Sequence, residues 1–172
     1  MVRSAREIGS WFISNGLDDP TNTLDGNTKL QKLLFFSWLI HYFKFKESLF
    51  EDSFFAFPNG PVSEPIRSDY KHYYSSVVNT PIPECTVTEQ ESLRLTKEIF
   101  GHLDSKKLAD LSHNSPAWKK YNAAFIKGQQ RDKDARKPVI PRVNPEVDLK
   151  DELLMIRTVL YAHENKSRLG TE

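Results

Sequence analysis

The chain has 172 residues, 38% of them apolar and 27% charged, a balance that fits one globular domain with a continuous core. Its 24 basic and 23 acidic residues leave a formal charge of +1, so the average charge offers no basic face for nonspecific nucleic-acid binding. A single cysteine, Cys85, excludes an internal disulfide and a cysteine-built zinc site and fits a reducing cytosol, and no uncharged apolar run reaches the ~18 residues of a membrane span.

The N-terminal run MVRSAREIGSWFISNG is too briefly apolar for a signal peptide. Ser4-Ala5-Arg6-Glu7 has capping-box spacing and predicts a helix to about Asn15, stopped by Gly16, with Ile8, Trp11, Phe12 and Ile13 on its buried side. Residues 17–27 read as a loop, marked by Asp18-Asp19-Pro20 and Asp25-Gly26-Asn27. Thr28-Lys29-Leu30-Gln31 repeats the capping-box spacing and opens a helix to about Lys44. That helix is apolar nearly all round, which places it at the centre of the domain.

Residues 49–57 are the best strand, with Phe54, Phe55 and Phe57 as strand formers. The strand needs a partner for its backbone groups, and residues 77–87 are the candidate, although Pro81 and Pro83 confine any strand there to an edge. Asn59-Gly60-Pro61 is a turn signal. Ser63 then caps a helix from Glu64-Pro65 to about Ser76, carrying Ile66 and Tyr70. Thr88-Glu89-Gln90-Glu91 is a third capping box, opening a helix to about Leu103. A shorter helix follows from Ser105 to about His113, and Ser115-Pro116 starts another, on which Trp118, Tyr121 and Phe125 share a face. Residues 128–145, with the basic side chains Arg131, Arg136, Lys137 and Arg142, read as an exposed loop. Asp148 caps a final helix carrying Leu149, Leu153, Ile156, Val159, Leu160 and His163, and residues from about 167 to 172 form a frayed tail. The expected architecture is a single domain over 1–172, mainly α, compact around a buried central helix at about 28–44, with a small β-hairpin.

Catalytic patterns are weak. Cys85 sits in Ile-Pro-Glu-Cys-Thr, with neither a helix N-terminus nor a cationic neighbour to lower its pKa. His41, His72, His102, His113 and His163 are scattered, and none has the HxxxH or HExxH spacing that puts two imidazoles on one helical face. His41 and His163 lie on apolar faces and read as hydrogen-bonded core histidines. The pairs Asp18-Asp19 and Glu51-Asp52 read as solvated, and no glycine-rich phosphate loop is present. Trp118 reads first as a core residue stapling its helix and second as a binding anchor. The expectation is a protein without catalysis or cofactor.

Three segments together resemble a known family. Lys29-Leu30-Gln31-Lys32-Leu33-Leu34-Phe35-Phe36 is similar to the KLQKLLYY helix of the Panacea domain, the SocA-like or GepA-like phage-associated proteins. Ala56-Phe57-Pro58-Asn59-Gly60-Pro61-Val62 resembles its A-x-x-x-GPV signature, and the run LADLSHNSPAW ending at Trp118 resembles its L-S-H-x-x-x-x-W segment. The matched positions are Lys29, Leu30, Lys32, Leu33, Gly60, Pro61, Val62, His113 and Trp118, to which the resemblance gives a fold-defining role first. It implies an antitoxin that binds a cognate protein toxin encoded by an adjacent gene, in the bacterial or phage-encoded cytoplasmic setting. One branch implies an alternative, a proteolytic adaptor delivering its toxin to an AAA+ protease. A DNA-binding regulator ranks below both because of the near-neutral charge and the lack of a clear helix-turn-helix. Partner choice falls to variable loops and termini; Arg131, Arg136, Lys137 and Arg142 read first as a solvated loop and second as a contact for an acidic partner.

Overall fold

The computed structural model describes residues 2–128 and 149–170. Eight helices and one two-stranded sheet follow in order among them: α1 (Ala5–Ser14), α2 (Leu24–Phe45), β1 (Phe55–Phe57), β2 (Gly60–Val62), α3 (Glu64–His72), α4 (Tyr74–Val78), α5 (Val87–Phe100), α6 (Ser105–Ser112), α7 (Pro116–Gly128) and α8 (Lys150–Leu169). The chain is mainly α, as the sequence predicts. No described helix is long and apolar enough to cross a membrane.

The fold is built on α2. Sixteen of its 22 residues are buried, and it packs against α1, α3, α5, α6, α8 and β2. Leu30, Leu33, Leu34, Phe35, Leu39 and Ile40 are wholly inaccessible, so the helix has no solvated stripe over its middle turns. Phe36 stacks on Phe100 of α5, and Phe35 meets Phe54 edge-on.

Several boundaries differ from the expectation, each for a local reason. The helix expected at 28–44 starts at Leu24, because Thr23 and not Thr28 is the cap: its Oγ1 accepts from the Gly26 amide at 3.0 Å. Gly26, read as part of a turn, lies in the first helical turn against the carbonyls of Asp18 and Pro20, where a Cβ would come within 2.5 and 2.4 Å. The capping box at residue 88 is likewise displaced. Thr86 caps α5, and Glu89 completes the box as its third residue. The box at Ser4 and Glu7 forms as predicted, and Gly16 follows α1 with φ +70°.

The sheet differs most. Residues 49–57 are not one strand, and 77–87 are not its partner. The β1 partner is Gly60-Pro61-Val62 itself, in the antiparallel register Phe55↔Val62, Ala56↔Pro61, Phe57↔Gly60, joined through Pro58-Asn59. Val77 belongs to α4, and the stretch beyond it is kept out of a ladder by prolines that cannot donate. Leu49 and Phe50 are buried as core, with one isolated bridge from Phe50 to Arg3.

The single helix expected to Ser76 breaks at Tyr73, whose ψ of 46° is not helical. Ser63 precedes α3 without a side-chain cap bond. At the C-terminus, α8 continues to Leu169, beyond the expected start of a frayed tail, and ends on Gly170. Gly128 closes α7, and the rest of the expected 128–145 loop lies outside the described residues, as does Asp148.

Candidate functional site

The three segments that resemble the Panacea signatures converge in space. Gly60 begins β2 with φ +105°, a conformation glycine tolerates and other residues rarely adopt. A Cβ there would lie 2.2 Å from Ser112 Oγ of α6 and 3.0 Å from Lys32 Cε of α2. Glycine is therefore required twice, for backbone conformation and for the close approach of two other elements. Lys32 Nζ is buried and donates to the Pro61 carbonyl at 2.9 Å. Burial alone pulls its ammonium down to about 7.

Lys29, one turn earlier on the helix, is also buried. Its Nζ donates at 2.8 Å to the carbonyl of Gly101, which closes the C-terminus of α5. A cation there meets both an orphan carbonyl and the negative end of the helix. Gln31 joins the wiring: its Oε1 accepts from the Ser63 amide at 2.9 Å, just past β2, and its Nε2 donates to Asn27 Oδ1 at 3.3 Å. Asn27 in turn donates to the Arg67 carbonyl at 3.0 Å.

The third segment closes the hairpin from the other side. Trp118 Nε1 donates to the Phe57 carbonyl at 2.7 Å, and its ring stacks on His113 at 4.2 Å with planes 8° apart. Burial pushes His113 below its ordinary value, the Lys32 charge adds to this, and the backbone of Asn59 and Pro58 opposes it. Ser115 accepts from the Trp118 amide at 3.1 Å, capping α7. Glu152 of α8 accepts from Ser115 Oγ at 2.9 Å and from the Ala117 amide at 2.6 Å. Burial raises this carboxyl, against the pull of those two bonds.

A groove of about 530 Å³ opens beside the hairpin, between the first turns of α2 and one face of α3. Phe57, Pro58 and Val62 give it apolar surface; Arg67 and Lys71 give it positive charge, and the buried Lys32 amine also lines it. Arg67 packs over the Phe57 ring at 5.0 Å and pairs with Glu64 at 2.7 and 2.8 Å. The loop leading into α2 is pinned by Tyr70, whose hydroxyl accepts from the Asn22 amide at 2.9 Å and donates to Asp18 Oδ2 at 2.8 Å. Tyr74 donates to the same carboxylate oxygen at 3.0 Å.

The structure thus brings Lys32, Gly60, Pro61, Val62, His113 and Trp118 into one region. Leu30 and Leu33 are wholly buried in the core, and Lys29 serves the end of α5. Trp118 is 8% exposed and hydrogen-bonded, which is the core reading and not the anchor reading. Arg131, Arg136, Lys137 and Arg142 lie outside the described residues. His41 is a bonded core histidine, 2.9 Å from Ser92 Oγ, and burial lowers it. Burial raises the Cys85 thiol above its ordinary value. Among the described residues no three His, Cys, Asp or Glu side chains cluster as metal ligands.

Sequence reasoning missed Asn27, Gln31, Arg67 and Lys71. A signal existed for Gln31 alone: a polar residue inside an otherwise apolar helix is expected to be buried and bonded. It misplaced Asp18, which is 1% exposed and holds two tyrosines, where a solvated loop carboxylate was expected. Nothing in a Asp-Asp-Pro loop announces two tyrosine partners more than 50 positions away.

These features define a small helical module whose signature residues tie one central helix to a hairpin and to the neighbouring helix ends. The family model for the antitoxin SocA-like, Panacea domain matches residues 30–119, 90 of the 172 residues, and the chain belongs to that family. No curated protein and no solved structure matches the chain.

Proposed function

We propose that the protein is an antitoxin-type binding module that neutralises a protein toxin by direct contact, without catalysis. Its family membership over residues 30–119 carries this reading. The burial of the signature residues is consistent with it. Lys29, Lys32, Gly60 and Trp118 each have a bonding or packing duty inside the fold, so their types are explained without assigning them to a reaction. Recognition then belongs to the surfaces these residues hold in place.

The test is co-expression with the product of the neighbouring gene. The expected outcome is rescue of growth from that product and co-purification of the two chains. Loss of both overturns the reading. The half-life of the toxin separates occlusion from delivery to an AAA+ protease. Occlusion leaves the half-life unchanged or longer, whereas an adaptor shortens it in a manner that requires the unfoldase.

A further inference from the structure

The groove beside the hairpin has the lining of a binding site, and its charge indicates the kind of partner. Basic side chains enter it from two elements, Lys32 from α2 and Arg67 with Lys71 from α3, and among the described residues no aspartate or glutamate lines it. Arg67 and Lys71 are four apart on α3 and so share a face. Of the two, Arg67 is partly committed to Glu64, while Lys71 is exposed and has no ion-pair partner among the described residues. Another cavity, of about 510 Å³ between α5 and α8, differs in this respect. There Glu98 lines the cavity together with Lys166 and lies 3.4 Å from the His163 ring, so acidic and basic groups share one lining. A chain of formal charge +1 has thus set Lys71, unpaired among the described residues, beside an Arg67 shared with Glu64 in one concave place.

The rest of the lining suits a polypeptide. Phe57, Pro58 and Val62 offer apolar contact, and Leu24 on the rim is 82% exposed. The side-chain amides of Asn22 and Asn59 can pair with an extended backbone, which must satisfy its own N–H and C=O groups. A volume near 530 Å³ lies within the range of about 300–1,000 Å³ that ligand pockets occupy. The walls are held in place before any partner arrives, one by the Tyr70–Asn22 bond and the other by Arg67 on Phe57.

We propose that this groove is the docking site of the partner protein and that it receives an extended acidic segment, whose Asp or Glu carboxylates meet Lys71 and Arg67 while its apolar side chains rest on the hairpin. The proposal rests on the antitoxin reading for the identity of the partner, but its chemistry is testable alone.

The probe is an acetylated, amidated octapeptide of alternating Leu and Glu, titrated into the full chain at low salt and followed by amide chemical shifts. A matching Leu and Gln peptide is the control. The Glu peptide is expected to bind about fivefold more tightly than its Gln counterpart and to shift the amides of Phe57, Asn59 and Lys71. Lys71→Glu should remove that preference, and Lys71→Arg should keep it. Lys71 is exposed, so neither substitution threatens the fold. Equal affinity for the two peptides, shifts centred elsewhere, or an unchanged preference in Lys71→Glu overturns the proposal. Full competition by acetate also overturns it, because the groove would then be a small-anion site. Co-purification of Lys71→Glu with the neighbouring gene's product separates the two readings. A toxin that binds the native chain and the variant equally refutes the groove and leaves the antitoxin reading standing. A toxin that binds neither refutes the antitoxin reading, and the peptide titration then decides the groove.

Discussion

The two buried stretches of α2, from Asn27 to Lys32 and from Leu33 to Tyr42, are held by different means. From Leu33 to Tyr42 the helix is surrounded by apolar matter, and its polar groups make fewer remote bonds: Ser37 donates to the Leu34 carbonyl, His41 meets Ser92, and Trp38 Nε1 donates to the Phe50 carbonyl at 3.1 Å. From Asn27 to Lys32 four polar side chains reach four different pieces of backbone, at Arg67, Gly101, Ser63 and Pro61. Apolar burial is non-directional and supplies most of the driving force. Each buried hydrogen bond adds little net free energy, but it penalises any arrangement that leaves a partner unmet. The second half of the helix therefore stabilises a packed state, and the first half selects which elements take which places around it. The family signature KLQKLL begins in the selecting half.

Substitutions in the two halves should therefore fail differently. The largest effect belongs to the apolar half. Phe35→Ala removes a wholly buried ring that contacts both Phe36 and Phe54, and is expected to cost about 3–5 kcal/mol in urea unfolding. A loss below about 1 kcal/mol would mean that the core collapses around the gap, and the contrast between the halves would fail.

Next is the hairpin that the polar half grips. Gly60→Ala must place a Cβ 2.2 Å from Ser112 Oγ at φ +105°, and is expected to cost about 2–4 kcal/mol. Gly16→Ala is its control. It has φ +70° but nothing within 4 Å, so only the backbone preference is at stake, about 1 kcal/mol. Equal losses at the two sites would show that crowding at the hairpin contributes nothing.

The same contrast governs what could be read in advance. The apolar half of α2 was legible, because a continuous run such as Leu-Leu-Phe-Phe admits few environments besides a core. The box at Ser4 and Glu7 was legible because all its parts lie within four residues. The start of α2 was not. Thr23 and Thr28 both have the chemistry of a cap, and the choice depends on Gly26 fitting beneath the Asp18 and Pro20 carbonyls. The hairpin was expected, yet its second strand was taken for its turn, because Gly and Pro are weak strand residues and only the tertiary setting gives them a ladder. In the candidate site, the nine matched positions were named from the motifs, but their duties were not visible. Lys29 finds its acceptor 72 positions away and Lys32 finds its own 29 away. The groove itself is formed by residues from three separate segments, and Lys71 gains significance only from the neighbours the fold assigns to it.

A third substitution tests the selecting half directly. Gln31→Ala leaves the buried Ser63 amide without its acceptor and Asn27 Oδ1 without its donor. The expected cost is about 1–3 kcal/mol, less than that of Phe35→Ala. If selection is the role of this bond, the damage should also be local: amide exchange should quicken at Ser63 and in the hairpin before it does in α5 or α8. Uniform acceleration along the whole chain would assign Gln31 to general packing.

The smallest expected effect at neutral pH is the most specific. Lys32→Met replaces a buried amine with an apolar chain of similar length, losing the bond to Pro61 while escaping desolvation. The two changes offset to within about 1 kcal/mol near pH 7. The pH dependence is what should change. Burial brings the folded-state Lys32 ammonium from 10.5 down to about 7, so between these values the unfolded chain holds a proton that the folded chain lacks. Stability then rises with pH across that window, by at most about 1.4 kcal/mol per pH unit from this one group. The methionine variant lacks the titration, and groups common to both chains cancel in the difference. The native chain should accordingly gain on Lys32→Met between about pH 7 and about pH 9 in parallel urea titrations. The imidazole of His113 supplies an independent reading, since the Lys32 charge helps to hold it below its ordinary value. Its titration should move upward in Lys32→Met. Parallel stability curves and an unmoved His113 would mean that Lys32 keeps its charge inside the fold, held by more than the Pro61 carbonyl, and the polar half of α2 would then contain a buried ion where a neutral amine is expected.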